Sequence, residues 1–270
     1  MADSNASFTG SIPEYYDKYL GPILFEEYSI DIAQRTRIPS GGNALEIAAG
    51  TGLASIHLGK AMPEDAQLTV TDLNEAMLEM AKQKIGRAKN IQFEIADGQE
   101  LPYDDSSFDG VICQFGIMFF PDKQKGVEEA FRVLKPGGEY IFNVWDSYEH
   151  NPLIKLVNES LGIIFPKDPP SFLDVPFGYF KIDEIKRILE NAKFEGIEIE
   201  VLPQPIRTED ATNVANGFIL GNPLSLQIPE LGADLDNVIE RITAEVVKQY
   251  GPDAIESRKQ AIVFKAHKPE

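Results

Sequence analysis

Across residues 43–145 short apolar runs alternate with amphipathic stretches, and no other feature restricts the fold as much. Residues 44–48, 68–71, 91–95, 110–114 and 139–145 read as strands. The run 110–114 is apolar almost throughout, as a parallel strand covered on both faces must be. Residues 53–62, 75–86 and 124–134 carry apolar side chains at helical spacing. The helix over 124–134 is closed by Lys135-Pro136-Gly137-Gly138. Further strands are expected at 194–202 and 260–268. Further helices are expected at 148–161 (entered at Pro152), 182–191, 209–227 with an interruption at Pro223, and 235–249. Strands alternating with helices predict an α/β fold. The expected form is a Rossmann-like, seven-stranded, mostly parallel sheet with an antiparallel last strand, helices on both faces and a helical cap.

The strongest local signal is Leu45-Glu46-Ile47-Ala48-Ala49-Gly50-Thr51-Gly52-Leu53, an apolar strand running into a glycine turn and then a helix. Gly50 and Gly52 permit backbone angles closed to other residues and let a ligand approach the main chain. The helix behind them offers unpaired N–H groups. Asp72 ends the next strand, 20 residues past Gly52. A carboxylate there can accept both hydroxyls of a ribose, and it can also cap the helix beginning near Glu75. A nucleotide-like cofactor follows from these features. The dinucleotide fingerprint asks for a third glycine, but Ser55 holds that position. A nicotinamide-dependent oxidoreductase is therefore disfavoured. No lysine follows the glycines as a phosphate-binding loop requires.

Composition narrows the partners. Asp and Glu number 43 against 25 Lys and Arg, a formal net charge of -18. Such a chain repels nucleic acid and anionic membrane on average, so nucleic acid is a disfavoured partner, while a small molecule, a protein or a cationic ligand stays open. Cys113 is the single cysteine, and His57, His150 and His267 lie far apart, so no metal site is expected. The N-terminus lacks the basic and apolar regions of a signal peptide. No uncharged apolar run approaches the roughly 18 residues a membrane span needs. A cytoplasmic location is the expectation.

Four blocks, in order, resemble the class I S-adenosylmethionine-dependent methyltransferases, in particular the methyltransferase type 11 or UbiE-like group. They are the 45–52 turn, Val70-Thr71-Asp72-Leu73-Asn74-Glu75-Ala76-Met77-Leu78, Ala96-Asp97-Gly98-Gln99-Glu100-Leu101-Pro102-Tyr103 with Ser107-Phe108-Asp109, and Arg132-Val133-Leu134-Lys135-Pro136-Gly137-Gly138. The resemblance runs from about residue 15 to 136. It implies S-adenosylmethionine as cofactor and gives roles to matching positions. Glu46 is similar to the acid that anchors the methionine ammonium region, often through water. Ala48, Gly50 and Gly52 resemble the turn against the methionine part, and Asp72 the ribose acid. Leu73 and Met77 resemble apolar contacts to the adenosine. Asp97 resembles the acceptor of the adenine amino group, with Gly98 and Gln99 beside the ring. Gln114 resembles the residue whose backbone faces the methionine moiety, and Phe115 stands where the methyl-transfer pocket begins. Tyr15, Tyr16 and Tyr19 resemble an N-terminal lid over the cofactor. One departure stands out: Ala48 replaces the first glycine of the turn, and its methyl group is expected to crowd or shift the ligand.

The resemblance implies methyl transfer to a small molecule, with a non-enzymatic cofactor-binding or regulatory protein as the alternative. An activated methyl group needs a nucleophile in line and water excluded. A base is optional, and no catalytic residue is evident. His150 and Tyr148 read better as packing or surface residues. Residues 115–120, 146–180 and 205–250 are rich in Phe, Leu, Ile and Pro. That suits an apolar or aromatic acceptor, although a cap packing on its own core has the same composition.

The expected organisation is an N-terminal helical lid at 1–42, a cofactor-binding core at 43–145, a substrate-loop insertion at 146–180, and completion of the core at 181–270. The cap lies at about 203–258, a segment too long for a plain loop. Residues 1–13 are expected to be flexible. The aromatic pattern over 14–36 predicts a helix broken at Gly21-Pro22. This segment suits either a lid or a contact in a homodimer.

Overall fold

The computed structural model describes residues 8–270. Seven strands form one sheet: β1 (Asn43–Glu46), β2 (Gln67–Asp72), β3 (Ile91–Ile95), β4 (Phe108–Gln114), β5 (Leu134–Trp145), β6 (Glu195–Thr208) and β7 (Ile255–His267). Their order is β3-β2-β1-β4-β5-β7-β6. The pairs among β1 to β5 are parallel, and β7 runs antiparallel to β5. The helices are α1 (Ile12–Tyr15), α2 (Glu26–Arg35), α3 (Leu53–Ala61), α4 (Glu75–Ile85), α5 (Lys123–Val133), α6 (Pro152–Ile164), α7 (Asp174–Gly178), α8 (Ile182–Asn191), α9 (Ala211–Leu220), α10 (Leu224–Glu230) and α11 (Leu235–Tyr250). The Rossmann-like sheet read from the alternating pattern is thus the observed one.

The chain divides into two compact units. The sheet unit comprises Glu27–Trp145, Tyr179–Leu202 and Ala261–Glu270. On one face of its sheet Ala44, Leu68, Val70, Ile112, Ile141 and Val263 pack with Ile32 and Ala33 of α2 and with Ala54 and Leu58 of α3. The alternate residues Leu45, Val111 and Tyr140 are fully buried on the other face. There α5 packs against β5 and α8. Strands buried on both sides explain the nearly continuous apolar runs.

The helical unit contains the described residues up to Glu26, with Asp146–Gly178 and Pro203–Gln260. In it α9 packs on α11 and on a π-helix over Tyr16–Phe25. The predicted break at Gly21-Pro22 is absent. Pro22 lacks an N–H, and in an α-helix its ring would strike the carbonyl four residues back. The widened turn accommodates it, and the Glu26 N–H donates to Gly21 O, five residues back. Of the segment expected to be flexible, residues 1–7 lie outside the described residues. Phe8 is buried against Tyr16 and Phe172, and α1 begins at Ile12.

Other boundaries move as well. The stretch after residue 165, inside the expected substrate-loop insertion, contains α7. Strand β5 starts at Leu134, the last residue of the predicted helix, and runs through the predicted closing turn, and its pairing with β4 shifts register between Phe108 and Gly110. Strands β6 and β7 exceed their predicted lengths, because apolar patterning marks only the part that packs against a core.

Candidate functional site

The five parallel strands place their carboxyl ends side by side. After β1 the Ile47 N–H still donates to Ile112 O of β4, at 2.8 Å, and the Ala49 N–H donates to Thr71 O of β2, at 2.9 Å. The chain then turns through Ala48, Gly50 and Gly52, with φ of 55°, 57° and 78°. Each of the two glycines is required for a different reason. A Cβ on Gly52 would lie 2.8 Å from Ala81 Cβ, so this glycine lets α3 approach α4. A Cβ on Gly50 would meet nothing within 4 Å, so Gly50 is needed for its backbone angle and leaves the turn open.

Asp72 holds that turn. Its Oδ2 accepts the Gly50 N–H at 2.8 Å and its Oδ1 the Asn74 N–H at 2.8 Å. The Asn74 bond makes it a partner of the α4 N-terminus too, so the capping and turn-binding readings meet in one side chain. Burial raises its pKa, and the N–H groups of Asn74 and Gly50 oppose that rise. The Asn74 side-chain amide also donates to Oδ1, at 3.5 Å, so the acceptor capacity left for a hydroxyl is on Oδ2.

Glu46 is the anomaly of the site. It is 1% exposed, and neither carboxyl oxygen has a hydrogen-bond partner. Burial pushes its pKa up to about 8, and the charge of Asp72 adds to the rise. The Ser55 hydroxyl is near enough to oppose the shift but stands outside hydrogen-bond geometry. An unpaired buried acid is expensive to ionise unless a positive group arrives. The two carboxyl groups at the turn therefore suit a cationic ligand that also carries a diol.

Leu73, at the end of β2, is 55% exposed, an apolar surface beside Asp72, whereas Met77 is 3% exposed on the inner side of α4. Asp97 Oδ1 accepts from the Gln99 N–H at 2.9 Å and from its side-chain amide at 3.3 Å. Gln99 Oε1 in turn accepts the Asp122 N–H at 2.8 Å. Gly98 is held by packing: a Cβ there would lie 2.5 Å from Phe120 Cζ and 2.7 Å from Ile47 Cγ2. The Gly98→Ala chain is expected to lose about 2 kcal/mol of stability by overpacking, measured as a lower urea midpoint.

Gln114 donates from Nε2 to Ser29 Oγ at 2.8 Å and leaves Oε1 unpartnered. Phe115 takes up positive φ beside it. Glu46, Ala48, Gly50, Gly52, Asp72, Leu73, Met77, Asp97, Gly98, Gln99, Gln114 and Phe115 all belong to the sheet unit. Tyr19 belongs to the helical unit, where it stacks on Tyr15 with ring centroids 6.0 Å apart.

Two residues were passed over in the sequence. Asn143 is fully buried in β5 and accepts the Phe115 N–H on Oδ1 at 2.9 Å. Its signal is legible afterwards, as the lone polar residue in the run Tyr140-Ile141-Phe142-Asn143-Val144-Trp145. Gly116 carries no such signal, because its need for glycine arises from Ala48, distant in sequence.

The strand order, the glycine turn after β1 and the acid that ends β2 define a class of architecture, that of the S-adenosylmethionine-dependent methyltransferases. Among solved structures it is shared by phosphoethanolamine N-methyltransferase 2 of Haemonchus contortus in complex with S-adenosyl-L-methionine. That match has a TM-score of 0.60 and 18% identity, and covers 96% of this chain and 57% of that one. The model of the ubiE/COQ5 methyltransferase family matches residues 20–158, just over half of the chain. The demethylmenaquinone methyltransferase of Staphylococcus aureus (strain MRSA252) is 30% identical over 203 residues, 70% of this chain and 84% of that protein. The demethylmenaquinone methyltransferase of Staphylococcus epidermidis (strain RP62A) is 37% identical over 131 residues, 47% of this chain. The matched part spans about half of that relative's length, 54%. The chain belongs to the ubiE/COQ5 methyltransferase family. Membership sets aside the nicotinamide reading.

Proposed function

We propose that this chain transfers a methyl group from S-adenosylmethionine to a small aromatic acceptor of the quinone type. The observation that carries the cofactor reading is the buried, unpartnered Glu46 carboxyl beneath the glycine turn. The quinone-type acceptor is supported by the names of the two staphylococcal relatives.

When bound, the cofactor supplies an electrophilic methyl group on a positively charged sulfur. The chain's own residues then have three tasks. Asp72 accepts the ribose hydroxyls while its backbone bonds keep the Gly50 turn in place. Glu46 balances the positive charge, and Gly50 lets the main chain come close to the ligand. Leu73 covers one face of the adenine, and Asp97 accepts its amino group. Bringing nucleophile and methyl group into line can contribute roughly 7–11 kcal/mol toward lowering the barrier, and no side chain is assigned as a base.

The test is product formation. The purified chain, given S-adenosylmethionine and a short-chain demethylmenaquinol, is expected to release S-adenosylhomocysteine and methylated quinol in equal amounts. Release that does not depend on the acceptor, or no release while the cofactor binds, contradicts the acceptor class.

A further inference from the structure

Two non-glycine residues of the sheet unit hold left-handed backbone at the carboxyl ends of adjacent strands: Ala48 after β1 (φ 55°) and Phe115 after β4 (φ 52°). Strain of this kind persists only where the surroundings over-determine it, and it gathers at functional sites. The surroundings here do so. A Cβ on Gly116 would fall 2.4 Å from Ala48 Cβ and 2.8 Å from Cys113 Sγ. The Ala48 methyl thus fills the space that a side chain at position 116 would need.

On the other side of the same turn, the Phe115 N–H donates to Asn143 Oδ1 at 2.9 Å and to Asn143 O at 3.2 Å. The Phe115 ring stacks on Trp145, with centroids 4.0 Å apart and planes 13° from parallel. Tyr28 meets Phe115 edge-on at 5.4 Å and Trp145 at 5.5 Å.

We propose that Ala48, Gly116 and Asn143 are positioning residues that register the β4 turn against the cofactor turn of β1. A size-matched contact between Ala48 and Gly116 sets the spacing, and the Asn143 amide holds Phe115 in its strained conformation. The inference rests on the cofactor reading given above. It also explains how alanine is accommodated at the first position of the glycine turn, since its methyl is taken up by Gly116.

A reciprocal exchange tests this, made in a Cys113→Ala background so that Ala48 is the one remaining close neighbour of a side chain at 116. The readouts are S-adenosylhomocysteine affinity by calorimetry and the near-ultraviolet dichroism of Trp145, the single tryptophan. Gly116→Ala is expected to weaken binding about tenfold or more and to change the Trp145 band, because displacements of an ångström at such sites have effects of that order. Adding Ala48→Gly is expected to restore affinity to within about threefold and to bring the band back, as coupled neighbours do. A double variant no closer to the parent than Gly116→Ala, or a Gly116→Ala chain that behaves as the parent, overturns the proposal.

If Gly116→Ala does not fold, Asn143→Leu takes its place, expected to alter the Trp145 band and weaken binding about tenfold, and unchanged values overturn the proposal. A parent chain that binds no S-adenosylhomocysteine contradicts the cofactor reading instead. A parent that binds while the exchange fails contradicts only the positioning of the two turns.

Discussion

At pH 8 and above, the Glu46→Gln chain is expected to be more stable than the parent and to bind S-adenosylmethionine less well. In the folded protein the Glu46 carboxyl has a pKa of about 8, against an ordinary 4.5, chiefly because it is buried. Between those two values the folded state holds a proton that the unfolded chain has released. Stability from this group is therefore fully present below about pH 4.5 and is lost as pH rises through 8. A separation of this size corresponds to roughly 4–5 kcal/mol across the window. Glutamine does not titrate, so the parent should fall relative to the variant by that order between pH 5 and pH 9. Part of the advantage is offset because a buried amide also lacks partners here, at about 1–3 kcal/mol. Urea unfolding of both chains at several pH values measures the difference directly. A parent and variant whose stabilities run parallel across that range would rule out a buried proton at Glu46.

The same substitution acts in the opposite sense on the cofactor. The ionised carboxylate suits a positive ligand, and the neutral amide does not. A charge-assisted contact contributes about 1.5–3 kcal/mol, so affinity should drop roughly ten- to a hundredfold. The difference between parent and variant should widen as pH rises through 8, where Glu46 ionises without help. A group that weakens the fold and serves the ligand is the expected trade at a functional site.

Much of this architecture was legible in the residues. Strands β1, β2 and β4 announce themselves because burial on both faces demands runs such as Val111-Ile112-Cys113. The turn after β1 is visible because Gly50 needs its backbone angle whatever surrounds it. The π-helix at Pro22 was not legible, because a local rule for proline predicts a break and only packing within the helical unit favours the wider turn. Gly98 has a requirement that its motif does not display: Phe120 and Ile47 leave no room for a side chain there. Asn143 and Gly116 depend on contacts between strands far apart in sequence, and such contacts leave no periodic trace. The orphaned state of the Glu46 carboxyl is a property of the assembled sheet, so the sequence offered the acid but not its environment.

The second large effect concerns Asp72. Its carboxylate joins two backbone N–H groups and, on the proposed reading, two ribose hydroxyls. Asp72→Ala removes both hydroxyl contacts and frees the Gly50 turn at once. Two hydrogen bonds to a charged group contribute about 1.5–3 kcal/mol each, so the loss in affinity should exceed about a hundredfold. Asp72→Asn keeps one acceptor oxygen and should fall between the two. Both variants should remain folded, since Asp72 is the last residue of β2 and lies outside the apolar core around Leu68 and Ile112.

Calorimetric titration of the parent and Asp72→Ala chains with S-adenosylmethionine is the most direct test of the site. Saturable binding at one site per parent chain is expected, with affinity weakened at least about a hundredfold in the variant. A parent chain that does not bind, or an Asp72→Ala chain that binds as the parent does, would contradict it.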